Sequence, residues 1–193
     1  MLAPVLVSPP AVPPISVDDV KRNSNIEHSE HDALIEGFIA AATQHLDGYS
    51  GILGQALITQ TWRQDFCGFA EPLRLALRPV RSVSVSYFDA DNAAQTLSGG
   101  IYARWADALG SYLELVPLAS WPATYGRRDA VSVTYVAGWG DAPADVPAPI
   151  RQAMLLLVGH WYAHREAVVT GTIATALPFA VDALIQPLRR IGF

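Results

Sequence analysis

Cysteine, lysine and long apolar runs are almost missing from this 193-residue chain, and each shortage excludes something. Cys67 is the sole cysteine, so no intramolecular disulfide can form and multi-cysteine zinc or iron–sulfur sites are ruled out. Lys21 is the only lysine, and arginine supplies the other basic side chains. Arginine is planar, weakly hydrated and able to pair bidentately, which suits interfaces better than lysine does. The longest purely apolar run, Ala153 to Val158, falls far short of the roughly 20 residues that a membrane-spanning helix requires. Met1 to Pro14 lacks a basic leader and is interrupted by Pro4, Pro9, Pro10, Pro13 and Pro14, so it does not read as a secretory signal. The expectation is synthesis in the cytoplasm without membrane insertion. Charge is scarce too, at 16% of residues against roughly 25% in globular chains. With 51% hydrophobic residues, the composition excludes a disordered chain. A net charge of −5 argues against a general nucleic-acid binder that tracks phosphates with a basic face.

What is present sorts into helix, strands, helix. Residues 1–15 are proline-rich and expected to be extended, because proline fixes φ and disfavours helix in the preceding residue. Ser16-Val17-Asp18-Asp19 reads as a capped helix start, with acidic side chains at the positive end of the dipole; the helix is expected to end near Arg22 or Asn23. Ser29 and Asp32 are spaced as a second capping box. Leu34, Ile35, Phe38, Ile39, Ala42 and Leu46 then recur at 3- and 4-residue intervals as one apolar stripe. Gly48, Gly51 and Gly54 stop that helix and carry the turn that follows.

From Ala56 to Val136 the pattern is that of strands. Ala56 to Phe66 is β-branched and aromatic, Leu73, Leu75 and Leu77 alternate with more polar positions, and Val83, Val85 and Tyr87 alternate with serines. Asp89 to Asn92 reads as a hairpin turn, Tyr112 to Val116 and Ala130 to Val136 as further antiparallel strands, and Ser98 to Ser111 as a long loop exposing Trp105. A helix over residues 147–166 follows, opened by proline in its first turn. Ile150, Met154, Leu155, Leu156, Leu157, Val158, Trp161 and Tyr162 make it apolar nearly all round, so it lies inside a core or between subunits. Ala167 to Ala176 reads as a tether, and Leu177 to Arg190 as a short amphipathic helix. Spacing alone leaves two fates for that last helix: docking in a partner's groove or folding back on its own core. The fold class is α+β, a helical body with an inserted antiparallel β-rich region.

The chain offers little chemistry. His160 and His164 share one helix face at the spacing of a zinc hydrolase, but the glutamate that should follow the first histidine is Trp161, and Glu166 reaches the site only with strained geometry. Gly48, Gly51 and Gly54 follow a helix and precede no Gly-Lys-Ser/Thr, which excludes a phosphate loop. No nucleophile elbow occurs. Cys67 reads as a lone buried or half-buried thiol, Asp89 and Asp91 as turn formers, and Arg127-Arg128 as a solvated turn before a strand. No catalytic residue, metal ligand or cofactor site is assigned.

The collinear order of several motifs carries a resemblance. A Pro-rich lead precedes Ser16-Val17-x-Asp19, His31-Asp32-Ala33-Leu34-Ile35-Glu36 and Ala56-Leu57-Ile58-Thr59-Gln60-Thr61-Trp62. Then come Ala137-Gly138-Trp139-Gly140, Val146-Pro147-Ala148-Pro149-Ile150-Arg151-Gln152-Ala153, His160-Trp161-Tyr162 and Leu177-Pro178-Phe179 with Val181-Asp182-Ala183-Leu184. From about Pro14 to Arg190 the chain resembles the head–tail connector (adaptor) family of tailed phages, prophages and gene transfer agents. That resemblance implies a single adaptor domain over residues 1–193 and a non-enzymatic virion protein at the head–tail neck. It also implies a closed heterologous ring of about a dozen copies beneath the portal, extending the channel for double-stranded DNA without sequence-specific binding. The implied partners are the portal, neighbouring copies of the chain, and the next neck (stopper) or tail protein. Residues 177–193 would be the portal-docking segment, with Phe179, Val181, Leu184, Ile185, Leu188, Arg189 and Arg190 as contacts. Ile150, Met154, Leu155, Leu156 and Trp161 would form the subunit interface. A tail completion protein is the alternative, and a small metal-dependent hydrolase using His160 and His164 a more distant one.

Overall fold

The protein was analysed as a computed structural model, which describes residues 2–164 and 179–189. Its α+β architecture divides into two compact units, one from residues 2–11 with Thr59–Gly138 and one from Val12–Ile58 with the described residues from Trp139 onward. Glu166, the tether at 167–176, Leu177, Pro178 and Arg190 lie outside the described residues.

The first unit is built of strands: β1 (Val5–Ser8), β2 (Gln60–Phe66), β3 (Leu73–Arg74), β4 (Val80–Phe88), β5 (Ala94–Thr96), β6 (Tyr102–Asp107), β7 (Gly110–Leu115) and β8 (Val131–Ala137). They form a five-stranded sheet in the order β1-β2-β8-β4-β5 and a three-stranded sheet in the order β3-β7-β6, with every paired neighbour antiparallel. β8 is central and obeys a period of two: Val131, Val133, Tyr135 and Ala137 are buried while Ser132, Thr134 and Val136 are half-buried. One face of the strand therefore points into the core. Buried Gln64 joins the two sheets' segments, its Oε1 accepting from the Ala76 N–H at 2.9 Å and its Nε2 donating to the Arg74 carbonyl at 3.2 Å.

Two expectations for this unit need correction. Ser98 to Ser111 is not a long loop: β6 and the start of β7 occupy most of it, with Trp105 opposite Tyr112. β6 escaped notice because both its faces are largely exposed, so it carries no apolar alternation. Only Leu73–Arg74 of the 73–77 stretch is strand, although Leu73, Leu75, Ala76 and Leu77 are all buried. The lead is extended as expected over Val5–Ser8, where β1 pairs with β2 across more than fifty residues of sequence.

The second unit contains α1 (Val17–Ser24), α2 (Asp32–Leu46), α3 (Ala148–Ala163) and α4 (Phe179–Ile185), with single 3-10 turns at Pro143–Asp145 and Gln186–Leu188. Ser16 caps α1 in a complete capping box: its Oγ accepts the Asp19 N–H at 3.1 Å and its own N–H donates to the Asp19 carboxylate at 3.0 Å. The Asp19 carboxyl is held below its usual range, first by these Ser16 hydrogen bonds. The Ser29–Asp32 box is not made. His31 takes the cap position without a side-chain bond to the helix's main-chain N–H groups, and the Asp32 carboxylate accepts from Lys21 Nζ at 2.9 Å instead. Ile35, Ile39, Ala42 and Leu46 bury the stripe of α2, Phe38 is half-buried and Leu34 lies exposed at its margin.

Beyond α2 the chain reverses tightly. Gly48 adopts a φ of +76°, open to glycine and strained for other residues. A Cβ on Gly51 would collide with the main chain of Leu46 and Asp47. Ala56, Leu57 and Ile58 are not strand as expected; Leu57 and Ile58 are buried in the apolar core of the helical unit. α3 stops at Ala163 rather than at 166, because His164 leaves helical geometry at φ −123°, ψ 78°.

Candidate interaction surfaces

α4 resolves the two fates left open for the last helix in favour of folding back. Val181 and Ile185 are completely buried in the same apolar cluster as Ile35, Ile39, Met154 and Leu157, and Leu184 and Leu188 pack against it half-buried. A buried pair at i, i+4 lines one side of a helix, so these two side chains face inward and offer no contact to a partner in this conformation. Gln55, itself buried, reinforces the docking: its Nε2 donates to the Leu188 carbonyl and its Oε1 accepts from the Trp139 indole N–H at 3.2 Å. Arg189 is exposed, 3.5 Å from Asp182. Arg190 and the Phe179 side chain lie outside what is described.

α3 divides the expected subunit interface in the same way. Ile150 and Met154 are completely buried in the unit's own core, where they pack with Ala153, Leu157 and Val158. Leu155, Leu156 and Trp161 are half-buried, with Trp161 tilted against Phe38 at 6.2 Å between ring centroids. These three are the apolar side chains of the expected set that retain surface.

The β unit exposes apolar surface, of which the residue patterns flagged Trp105 but not β1. Val5, Leu6 and Val7 of the edge strand β1 are 51%, 42% and 57% exposed, so side chains pointing to both faces of the sheet meet solvent. The opposite edge, β5, is exposed but carries only Ala94, Gln95 and Thr96. On the three-stranded sheet Trp105 is 54% exposed. Arg74 holds Asp107 through two bonds of 3.1 and 2.8 Å and lies 5.2 Å from the Tyr112 ring. Those bonds keep the Asp107 carboxyl below its ordinary value.

The remaining chemical candidates are local structure. Asp89 accepts main-chain N–H bonds from Asp91 at 3.0 Å and Ala93 at 2.9 Å and a side-chain bond from Gln95 at 2.8 Å. Its carboxyl is accordingly lowered, Ala93 contributing most. Arg127 chelates Asp129 at 2.6 and 2.7 Å and stacks on Phe88 at 3.8 Å; the pairing lowers the Asp129 carboxyl and raises the guanidinium. Arg127 is thus a pinned side chain rather than a solvated one. Cys67 is exposed, not buried or half-buried, because it stands just past the end of β2. His160 and His164 have ring centroids 4.7 Å apart. Among the described residues, no group of three or more His, Cys, Asp or Glu side chains could hold a metal ion, and no helix is long and apolar enough to cross a membrane.

Similarity to known proteins agrees with the resemblance drawn from the motifs. Residues 14–75 match the family described as phage gp6-like head-tail connector proteins. That match covers α1, α2, the glycine turn, β2 and β3. No curated protein sequence matches the chain. The fold is similar to that of a chain in the virion of a native gene transfer agent (GTA) particle, with a TM-score of 0.78 at 22% identity, covering 100% of this chain and 97% of the other. A chain in the neck of an empty GTA particle computed with C6 symmetry has a TM-score of 0.76 at 20% identity, covering 100% and 97%. One in the neck of a native GTA particle computed with C12 symmetry has a TM-score of 0.65 at 22% identity, covering 98% and 97%.

Proposed function

We propose that this protein is a structural component of the head–tail neck of a phage-like particle, an adaptor joining a capsid vertex to a tail. What supports the reading is a fold shared along the whole chain with chains of gene transfer agent particles, two of them in necks. The connector-family match at residues 14–75 covers the first two helices of the helical unit and runs on into β2 and β3. The adaptor works as a ring of identical copies under the portal, and in such a ring each copy presents two different faces to its neighbours. Leu155, Leu156 and Trp161 belong to that inter-copy contact. The portal meets the outer side of the segment at Phe179 to Arg190, through Leu184, Leu188 and Arg189, while Val181 and Ile185 fasten the segment to its own helices. The acidic balance of the chain suits a DNA conduit, because a wall that bound phosphates tightly would retard passage.

Deleting the gene in a particle-producing culture tests this. The expected result is DNA-filled heads and separate tails, rejoined when the wild-type gene is returned, and co-purification of tagged protein with a portal subunit. Complete particles in the deletion strain would overturn the reading, and recovery of tail proteins without any portal would replace it with a tail completion role.

A further inference from the structure

The end of α3 holds a pair of imidazoles that the neck role does not use. His160 lies in the last turn and His164, four residues on, is the C-cap residue at which the backbone leaves helical geometry. Their centroids are 4.7 Å apart with planes inclined by 31°, and both residues are exposed. His164 Nδ1 lies 3.1 Å from the main-chain oxygen of His160. A carbonyl oxygen can only accept, so in this contact Nδ1 is the donor, and in the neutral ring Nε2 is then the nitrogen open to a metal ion. Metal-binding histidines have this arrangement, the ring N–H opposite the ligating nitrogen being held by a carbonyl or carboxylate. The position also favours a cation, since the free carbonyls of a helix C-terminus form the negative end of its dipole.

The other histidine pair differs. His28 and His31 meet edge to face, with planes at 81°, and His31 Nδ1 is engaged by the Tyr162 hydroxyl at 2.7 Å. Their ring centroids are likewise 4.7 Å apart, but the pair is separated by loop residues and the hydroxyl contact occupies one nitrogen of His31.

We propose that His160 and His164 form a two-imidazole chelating site for a borderline divalent ion, copper, nickel or zinc, with water completing the coordination. Imidazole nitrogen suits these ions, whereas magnesium and calcium prefer oxygen. With two protein ligands the site binds an exchangeable ion and clamps the end of α3. The assignment rests on side-chain geometry and is independent of the neck role.

Titration calorimetry of Cys67→Ser protein with nickel, zinc and copper salts near neutral pH is the test, the substitution removing an exposed thiol that competes for soft ions. One ion per chain is expected, with copper bound more tightly than nickel or zinc. His160→Ala and His164→Ala should each weaken binding by about tenfold or more, because a chelate becomes a single contact. His28→Ala should leave binding unchanged. Circular dichroism of each variant checks that the helices persist. Absence of saturable binding, binding that survives either single substitution on α3, or loss of binding in His28→Ala would each overturn the proposal.

Discussion

The helical unit and the β unit reach stability by different routes. The helical unit draws its core from α1, α2, residues 53–58, α3 and α4 into one apolar cluster, and those pieces are separated in sequence by the whole of Thr59–Gly138. The apolar contacts of that cluster are non-directional and close only when distant segments meet. The β unit relies on backbone ladders, buried glutamines at Gln60 and Gln64, and arginine–aspartate pairs. Directional bonds specify register, while apolar packing specifies volume. The two units should therefore respond to different perturbations.

The largest effect comes from removing core volume. Ile150→Ala in the helical unit and Leu113→Ala in the β unit each delete a fully buried branched side chain, and each should cost about 2–5 kcal/mol. Urea unfolding followed by far-UV circular dichroism and by tryptophan fluorescence separates the two. Each substitution should lower the midpoint of its own unit first, and one shared transition in both variants would break the comparison.

Next in size is Gln55→Ala, which removes a buried amide bonded to Trp139 and Leu188. A loss of about 1–3 kcal/mol is expected, with faster hydrogen exchange in α4 and none in β8. Hydrogen exchange already fast in the wild-type α4 would contradict the folded-back tail. Ser16→Ala comes third: loss of the capping box should cost about 0.5–2 kcal/mol, read as a midpoint shift confined to the helical unit.

Acid gives the smallest effect and sharpens the contrast. Asp89, Asp107 and Asp129 of the β unit have carboxyls lowered by main-chain N–H groups, Arg74 and Arg127 respectively, whereas in the helical unit Asp19 is lowered by Ser16. A lowered folded-state value means that the unfolded chain takes up the proton first. The stabilisation is fully present above about pH 4, the usual aspartate range, and disappears as pH falls through the folded-state values. The β unit should lose more stability than the helical unit on acidification, and Asp107→Asn should flatten its slope. An unchanged slope in that variant would show that solvent screening removes the contribution of the pair.

Legibility followed the range of the interaction that decides each feature. The Ser16 cap, the stripe of α2 and the Asp89 turn depend on residues within a few positions, and the sequence displays them. The Ser29–Asp32 box has the same local form, yet Lys21 captures the aspartate from eleven residues away. β6 was missed because its strand state rests on pairing with β7 and on almost no burial. The apolar edge of β1 was hidden among prolines, although Val5, Leu6 and Val7 stand together in the sequence and were its one visible sign. At α3 and α4, residue type identified the apolar side chains but not their destination. Val181, Ile185, Ile150 and Met154 went to the chain's own core, and Leu155, Leu156 and Trp161 kept some surface.

The sequence by itself determined the composition class, the α+β order of elements, the caps and turns, and the family likeness, because each is written in local periodicity or collinear motifs. Only the tertiary structure decided which apolar faces are spent internally and which edges stay open. It also decided that the His164 ring is held by a carbonyl. Burial is a property of every segment that arrives at a surface, and no single stretch of chain encodes the arrival of the others.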